Sequence, residues 1–509
     1  MRGSVLVTFD ELVKDRGIDN YRIDIGPILR DVHFTNSNKL YSTFIFTGDT
    51  VTFTVFHSTD LIGDITIKRI DYTTDDEGGD NGIKEVNVIP TFQFFDDRTI
   101  ATFTGSTVPS AYNFKYVIEA NTIIPEPTFM SIGGGFSGST TANPGICFDS
   151  EILISGKIIV GHRYTSYSGT PVSTITRLLN NGTLDTSFIT TGITNLIQTY
   201  DIKEQSDGKL LVSSFQSSPN AFNLQRLNSD GSIDTGFTKS IFNGASSFNE
   251  ERIEFQSDGK IIFGNDFGDA GLFSGYTGLM RFNTNGIIDS TFNSGGSQFS
   301  GSSNNRVDDI YVYPDNKILF AGLFNRYNGV FCNSLMRLNS DGSVDTSFTL
   351  DTTTGYTFPL FINDIEVLSN GKILVGCDPS GTNKYFNNTV GAMFRLNADG
   401  TFDSTFPFNQ FSGGFNSLND IYEMENGSLL IGGSFTGYSG NVVTNLIKLN
   451  SNGTLNTTFN PPSINGAITD IEITVDGGVL CTGGMTTLGA QTTRGIIKLD
   501  PINGSSLIT

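Results

Sequence analysis

Seven in-phase copies of a two-part motif, a composition rich in glycine and phenylalanine but poor in charge, and a last copy lacking its final strand predict an all-β chain. The expected architecture is a seven-bladed β-propeller over 123–509, preceded by an Ig-like β-sandwich docking domain over 1–122. At 509 residues the chain exceeds the size at which one core keeps growing, so it must divide or close a repeat array. Gly contributes 58 residues and Phe 42, while charged residues make up only 16%. Such a mixture suits many short strands joined by tight turns.

The N-terminal stretch carries no repeat but shows eight short strand signals: Val5 to Phe9, Tyr21 to Ile25, Ser42 to Phe46, Val51 to Phe56, Ile65 to Ile70, Glu85 to Ile89, Thr99 to Phe103 and Lys115 to Ala120. That number and spacing are the grounds for the sandwich. Its most polar stretch, Asp71 to Gly82, holds Asp75, Asp76, Glu77 and Asp80 and is expected to be a solvated hairpin tip. Pro125 and Pro127 lead into the second domain and favour a stiff junction.

The first part of the repeat runs from Arg177-Leu178 to Asp185 and Phe188, from Arg226-Leu227 to Asp234 and Phe237, and from Arg281-Phe282 to Asp289 and Phe292. Further copies start at Arg337, Arg395, Lys448 and Lys498, with steps of 49, 55, 56, 58, 53 and 50 residues. The second part is a turn at Gly156, Gly208, Gly259, Asn316, Gly371, Gly427 and Gly477, followed by apolar runs such as Lys260-Ile261-Ile262-Phe263. Unbroken apolar runs require burial on both faces, which radially stacked sheets provide. The seventh copy ends without its Asp-x-x-Phe strand, while Ile123 to Phe129 ahead of the first copy resembles that missing piece. The expected result is a last blade completed by the N-terminal strand, leaving no open edge.

Within the motif, Asn228-Ser229-Asp230-Gly231-Ser232-Ile233-Asp234 has the look of a calcium loop, yet a cation (Arg177, Arg226, Arg281, Arg337, Arg395, Lys448 or Lys498) stands where the first anionic ligand is required. A three-residue hairpin loop with Gly231 left-handed accounts for it better, setting Leu227 opposite Ile233 and Arg226 opposite Asp234. The sequence Arg-Leu-Asn-x-Asp-Gly-Ser-x-Asp-x-x-Phe, alternating with Asp-Gly-Lys-Ile-Leu-Val-Gly-Gly, resembles the delta-60 repeat. That resemblance covers about 124 to the end and implies a β-propeller of the kind found in bacterial and phage proteins. It implies no particular activity, because propellers host many.

Two recurrent sets are candidate sites. Asp149, Asp201, Asp309, Asp364, Asp420 and Asp470 lie seven residues before the turn in six copies, with Arg252 in the remaining one. As equivalent residues on innermost strands they would ring a channel, either holding a cation or basic partner, or accepting backbone hydrogen bonds from the neighbouring blade. Tyr167, Tyr276, Tyr327 and Tyr438 each precede a Gly by two residues and would form either a stacking face for a sugar or protein, or blade-edge packing.

No nucleophile motif or metal spacing is present: the histidines His33, His57 and His162 are scattered, and Cys147, Cys332, Cys377 and Cys481 show neither disulfide density nor paired ligand spacing. The expectation is therefore a protein that binds rather than catalyses, without cofactor or metal. A charge of −21 argues against nucleic acid as partner, and no apolar run is long enough for membrane insertion. The start, Met1 to Gly17, interleaves Asp10, Glu11, Lys14 and Asp15 with apolar residues, unlike a signal peptide. Exterior-style modules without an export signal are similar to virion structural proteins of tailed phages, including the crAss-like group. The resemblance implies a tail-associated component made in the host cytoplasm, present in several copies and contacting other virion proteins or a host-surface glycan or protein. The alternatives are a bacterial surface adhesin, and a propeller glycosidase or lyase with two carboxylates at the channel mouth.

Overall fold

The computed structural model describes, within 1–128, the nine strands given below, and beyond them residues 129, 135–138, 145–190, 193, 195–217, 220–243, 252–264, 278–293, 299, 305–353, 360–378, 384–407, 410–413 and 417–508. Two compact units divide the chain, Met1–Thr128 and Phe129–Thr509. No helix occurs among the described residues.

The first unit contains β1 (Gly3–Thr8), β2 (Val32–Phe34), β3 (Tyr41–Thr47), β4 (Thr50–Phe56), β5 (Ile65–Thr74), β6 (Asp80–Asn87), β7 (Thr91–Phe94), β8 (Arg98–Thr104) and β9 (Phe114–Ala120). They form two antiparallel sheets, ordered β2-β1-β9-β5-β6 and β3-β4-β8-β7. The first strand pairs with the last, Val5 opposite Ile118. A constant-type immunoglobulin fold keeps its first and last strands in opposite sheets, so this order departs from the Ig-like expectation. Tyr21 to Ile25 and the acidic residues at 75–77 lie outside the described residues.

In the second unit one antiparallel pattern recurs. Each repeat has an inner strand, a middle strand and an outer strand; in repeat 4 these are Arg306–Val312, Ile318–Leu323 and Leu335–Leu338. Seven such sheets are present among the described residues, the second extended by a fourth strand, Ser240–Asn243. Middle strands are buried throughout, as in Ile158–His162 and Val479–Gly483, which explains their unbroken apolar runs.

The outer strand turns back through the predicted hairpin. Leu227 bridges Ile233, and the same step recurs at Leu178 and Leu184, Phe282 and Ile288, Leu338 and Val344, Leu396 and Phe402, and Leu449 and Leu455. Gly231 adopts φ 92°, closed to side chains, and the Asp230 carboxylate caps the turn by accepting from the Ser232 N–H at 2.9 Å.

The hairpin also joins neighbouring repeats. Arg281 donates through Nε to Asp289 at 2.9 Å, lies 4.8 Å over the Phe292 ring, and reaches through Nη1 to the Ser340 carbonyl of the next hairpin at 2.6 Å. Arg226 does the same with Asp234, Phe237 and Thr284, and Arg337 with Asp345, Phe348 and Ala398. A lysine from the preceding turn supplies a second cation to the same carboxylate, as Lys260 does to Asp289 at 3.0 Å. Burial by itself raises the Asp289 carboxyl, but the Thr291 hydroxyl, Lys260 and Arg281 outweigh it and hold it well below the usual carboxylate range. Each hairpin glycine then sits on the phenylalanine of the repeat before: a Cβ on Gly231 would stand 2.9 Å from the Phe188 ring.

The same contacts join the two ends of the array. Phe129 donates its N–H to Leu507 at 2.7 Å, bridges Ile508 in parallel, lies under Lys498 and occupies the space beside Gly182. On the inner strands, Thr469 donates its hydroxyl to the Cys147 carbonyl at 2.8 Å, and Asp470 accepts from the Ser150 N–H at 3.1 Å. Repeat 7 thereby contacts repeat 1.

Truncating Phe129 to Ala removes a buried ring from this junction and should cost about 3–5 kcal/mol of stability. Urea denaturation of the full chain measures it, and a loss below about 1 kcal/mol would show that the junction does not hold the ring. Arg281→Ala leaves Asp289 buried with one cation and should cost about 2–4 kcal/mol, with Arg281→Lys recovering only part because the fork is lost.

Candidate functional site: an acidic channel

The inner strands place their acidic residues by a shared irregularity. A register shift, the mark of a β-bulge, falls immediately before Asp149, Asp201, Asp309, Asp364, Asp420 and Asp470. A bulge re-aims one side chain without ending the strand. Opposite each aspartate the middle strand carries a small residue: Gly161, Ser213, Ala321, Gly376, Gly432 and Thr482. These leave room for the next repeat; a Cβ on Gly432 would stand 2.7 Å from Ile468.

Asp149, Asp201, Asp309, Asp364, Asp420, Asp470 and Arg252 line one common cavity of about 100 Å³. Several are also latches between repeats. Asp149 accepts from the Ile202 N–H at 2.8 Å, Asp201 from Ile253, and Asp309 from Ile365 at 2.9 Å. The Asp364 and Asp420 carboxylates are different: the Oδ2 of each is shielded from solvent and has no hydrogen-bond partner.

Two residues further along each strand, on the same face by the period of two, stand Glu151, Lys203, Glu254, Tyr311, Glu366, Tyr422 and Glu472. This second tier was not recognised from the sequence, although its spacing of two from the aspartates was visible there. Lys203 lies 3.8 Å from Glu151 and 3.6 Å from Glu254, and Arg252 lies 3.9 Å from Asp309. Both cations thus come from repeats 2 and 3, while repeats 5 to 7 contribute Asp364, Glu366, Asp420, Asp470 and Glu472 with no cation at the equivalent positions.

Burial, more than like charge, raises these carboxyls. Asp309 and Asp470 are pushed up to about 6, and Glu151 and Glu366 to about 7. Asp149, Asp364 and Asp420 rise well above the ordinary range, with neighbouring aspartates adding to burial. Burial lowers Lys203, but the surrounding carboxylates more than offset it and keep the ammonium charged. Chemically, the channel holds carboxyls that exchange protons near neutrality, and the carboxyls of repeats 5 to 7 have no cation on their own strands. No cluster with metal-ligand geometry occurs among the described residues.

The three described tyrosines of the set form no binding face. Tyr167, Tyr327 and Tyr438 are buried, and Tyr167 donates its hydroxyl to the Gly182 carbonyl at 2.6 Å while Tyr438 bonds Gly453. They pack against Phe136, Phe299 and Phe411, respectively. The candidate stacking surface is therefore corrected to core packing, because each ring is enclosed where its hydroxyl is satisfied. Tyr276 lies outside the described residues.

Six segments, 155–188, 205–237, 256–292, 314–348, 368–406 and 425–459, match the family described as domain of unknown function (DUF5122) beta-propeller. The chain carries a β-propeller. No curated relative matches it. Among solved structures the propeller is similar to the GH74 xyloglucanase from Xanthomonas campestris, at 13% identity over 73% of this chain and 52% of that one, with a TM-score of 0.43. It is similar also to the propeller domain of the Trilobed protease from Pyrococcus furiosus, at 10% identity over 93% and 97% of the two chains and a TM-score of 0.26. A third likeness is to the rhamnogalacturonan lyase YesW, at 10% identity over 93% and 90% and a TM-score of 0.36. The expectation that the chain is not an enzyme is corrected: a xyloglucanase and a rhamnogalacturonan lyase are among the solved structures it is similar to, the β-propeller fold hosts catalysis as well as binding, and no residue role carries over.

The raised carboxyls give the propeller a definite pH response. Their folded values exceed the unfolded ones near 4, so the stability they contribute is complete below about pH 4 and is lost as pH rises through about 6 to 7. His162 works in the opposite sense: burial lowers it to about 3, and its contribution is lost as pH falls below about 6.5. The carboxyls outnumber it, so the midpoint of thermal unfolding should be higher at pH 5 than at pH 8. A midpoint that rises with pH across that interval would show that the channel carboxyls are not buried as described.

Proposed function

We propose that the chain is a binding protein whose seven-bladed propeller acts as a rigid frame, the acidic channel receiving a lysine or arginine side chain from a partner protein. The observation carrying this reading is the carboxyl sector at repeats 5 to 7, which has no cation on its own strands, with the Oδ2 atoms of Asp364 and Asp420 buried and unpartnered. A buried oxygen of this kind is costly until a donor reaches it. A cavity of about 100 Å³ suits one charged side-chain head, being smaller than the pockets that take drug-sized ligands.

The setting we propose is a tailed-phage particle, in which several copies contact other particle proteins or the host surface. A repeat array joined end to end, leaving no exposed sheet edge at its junction, and cysteines that are all buried suit work outside a cell. No helix among the described residues is long and apolar enough to cross a membrane. Mass spectrometry of purified particles tests the setting, and particles lacking the chain would reject it.

For the channel itself, calorimetry with a short lysine-containing peptide and its acetylated form is decisive. Wild type should bind the charged peptide, and Asp364→Asn should weaken it by about tenfold, the equivalent of about 1.4 kcal/mol, while remaining folded. Equal affinity for both peptides would reject the channel as the binding site. A second reading, a glycan-cleaving propeller, is favoured by Asp309 and Asp470, which line one cavity and are pushed up to about 6, the range of a general acid. Turnover of a plant or bacterial polysaccharide that disappears in Asp309→Asn would establish it.

A further inference from the structure

Repeat 2 departs from its neighbours on the face turned toward repeat 1, where Val212 and Leu227 pack with Ile159 and Ile175. Between its turn glycine Gly208 and hairpin glycine Gly231 it is three residues shorter than repeats 1, 4 and 6. The missing piece is the tyrosine loop: Leu210–Ser217 runs straight back as Asn220–Leu227, with Ser217 opposite Asn220. In repeats 1 and 6 a tyrosine fills the space beside the hairpin and bonds its glycine carbonyl. In repeat 2 a cleft of about 230 Å³ opens beside that hairpin.

The residues facing the cleft have changed character too. Gln225 stands where repeats 3 to 7 carry Met280, Met336, Phe394, Ile447 and Ile497, and Gln216 where repeats 4 and 6 carry Phe324 and Phe435. Both glutamines line the cleft. Gln225 is only 3% exposed, and its Nε2 has no hydrogen-bond partner. A repeat that exchanges apolar core residues for amides and leaves amide groups unsatisfied, Gln225 among them, has lost stability without an internal compensation, the mark of a place used for something else. Lys239 stands on the lining, and no carboxylate among the described residues pairs with it; Asp234 is already engaged by Arg226 at 2.7 Å and Lys209 at 3.1 Å. Leu196 and Phe237 supply an apolar wall.

We propose that this cleft binds a single hexuronate unit, a sugar ring bearing a carboxylate. The ring oxygens accept from the Gln225 amide, the hydroxyls meet Gln216, the carboxylate pairs with Lys239, and the apolar face of the ring lies on Leu196 and Phe237. Amides suit hydroxyls because they both donate and accept, an ammonium that no described carboxylate pairs selects an anion, and 230 Å³ admits one ring. The site is separate from the channel, so the two readings fail independently.

Titration of the full chain with glucuronate, glucose and acetate, followed by NMR, tests the assignment. Glucuronate should bind saturably, glucose about tenfold more weakly, and acetate more weakly still. Lys239→Ala, an exposed change that spares the fold, should weaken glucuronate about tenfold and leave glucose unchanged. Gln225→Met, which installs the residue of repeats 3 and 4, should abolish both, whereas Asp364→Asn should alter neither. No saturable glucuronate binding, unchanged affinity in Lys239→Ala, or acetate binding as tightly as glucuronate would each overturn the proposal.

Discussion

Arg281 has to reach two places at once: the Asp289 carboxylate on its own hairpin and the Ser340 carbonyl on the next. The planar fork makes this possible, since Nε and Nη1 point in different directions and the flat face remains free to lie on Phe292. The rest of the ring depends on this contact. A sheet of three or four short strands cannot bury both faces alone, so each repeat is stable only against its neighbours. Where the cation is Lys448, the ammonium still spans to Pro501 at 2.8 Å, but Asn456 stands in place of the aspartate. The cation is kept at that repeat while its counter-charge is lost.

Because the clamps and apolar runs hold the sheets at mid-strand and rim, the inner strands tolerate an arrangement that destabilises them. Six aspartates and four glutamates converge on the channel with only Lys203 and Arg252 to neutralise them. Part of the cost is recovered where an aspartate accepts a backbone N–H from the next repeat, as Asp149 does from Ile202. Neither Asp364 nor Asp420 gains a bond at Oδ2. Electrostatic strain concentrated at one sector of an otherwise regular ring is what functional sites impose on a fold.

Repeat 2 shows the same logic from another direction. Repeats 1, 4 and 6 close their outer space with Tyr167, Tyr327 and Tyr438, whereas repeat 2 leaves it open and lines it with Gln216 and Gln225. In a repeat protein the units serve as references for one another, so a unit that abandons a shared packing solution points to its own use more clearly than any residue considered alone.

How much of this the sequence carried differs by element. The hairpin register was legible because a period-two strand offers only one way to place Leu227 and Arg226 against apolar and acidic partners, and the bridge from Leu227 to Ile233 follows from it. The aspartate set was legible as a periodicity, and so was the all-β class. What Arg281 or Asp149 does for the adjacent repeat was not, because those partners lie more than fifty residues away and are brought close only by stacking. The tyrosines stayed open between a stacking face and blade-edge packing for the same reason: spacing marks a residue as repeated, but only the enclosing Phe136, Phe299 and Phe411 decide that it is buried. The strand order of the first unit was likewise beyond the sequence, since alternation identifies strands and not which strand β1 pairs with. Local periodicity thus determined class, repeat and register, whereas charge burial, the Asp364 vacancy and the cleft of repeat 2 were decided by contacts that exist only when the sheets are packed together.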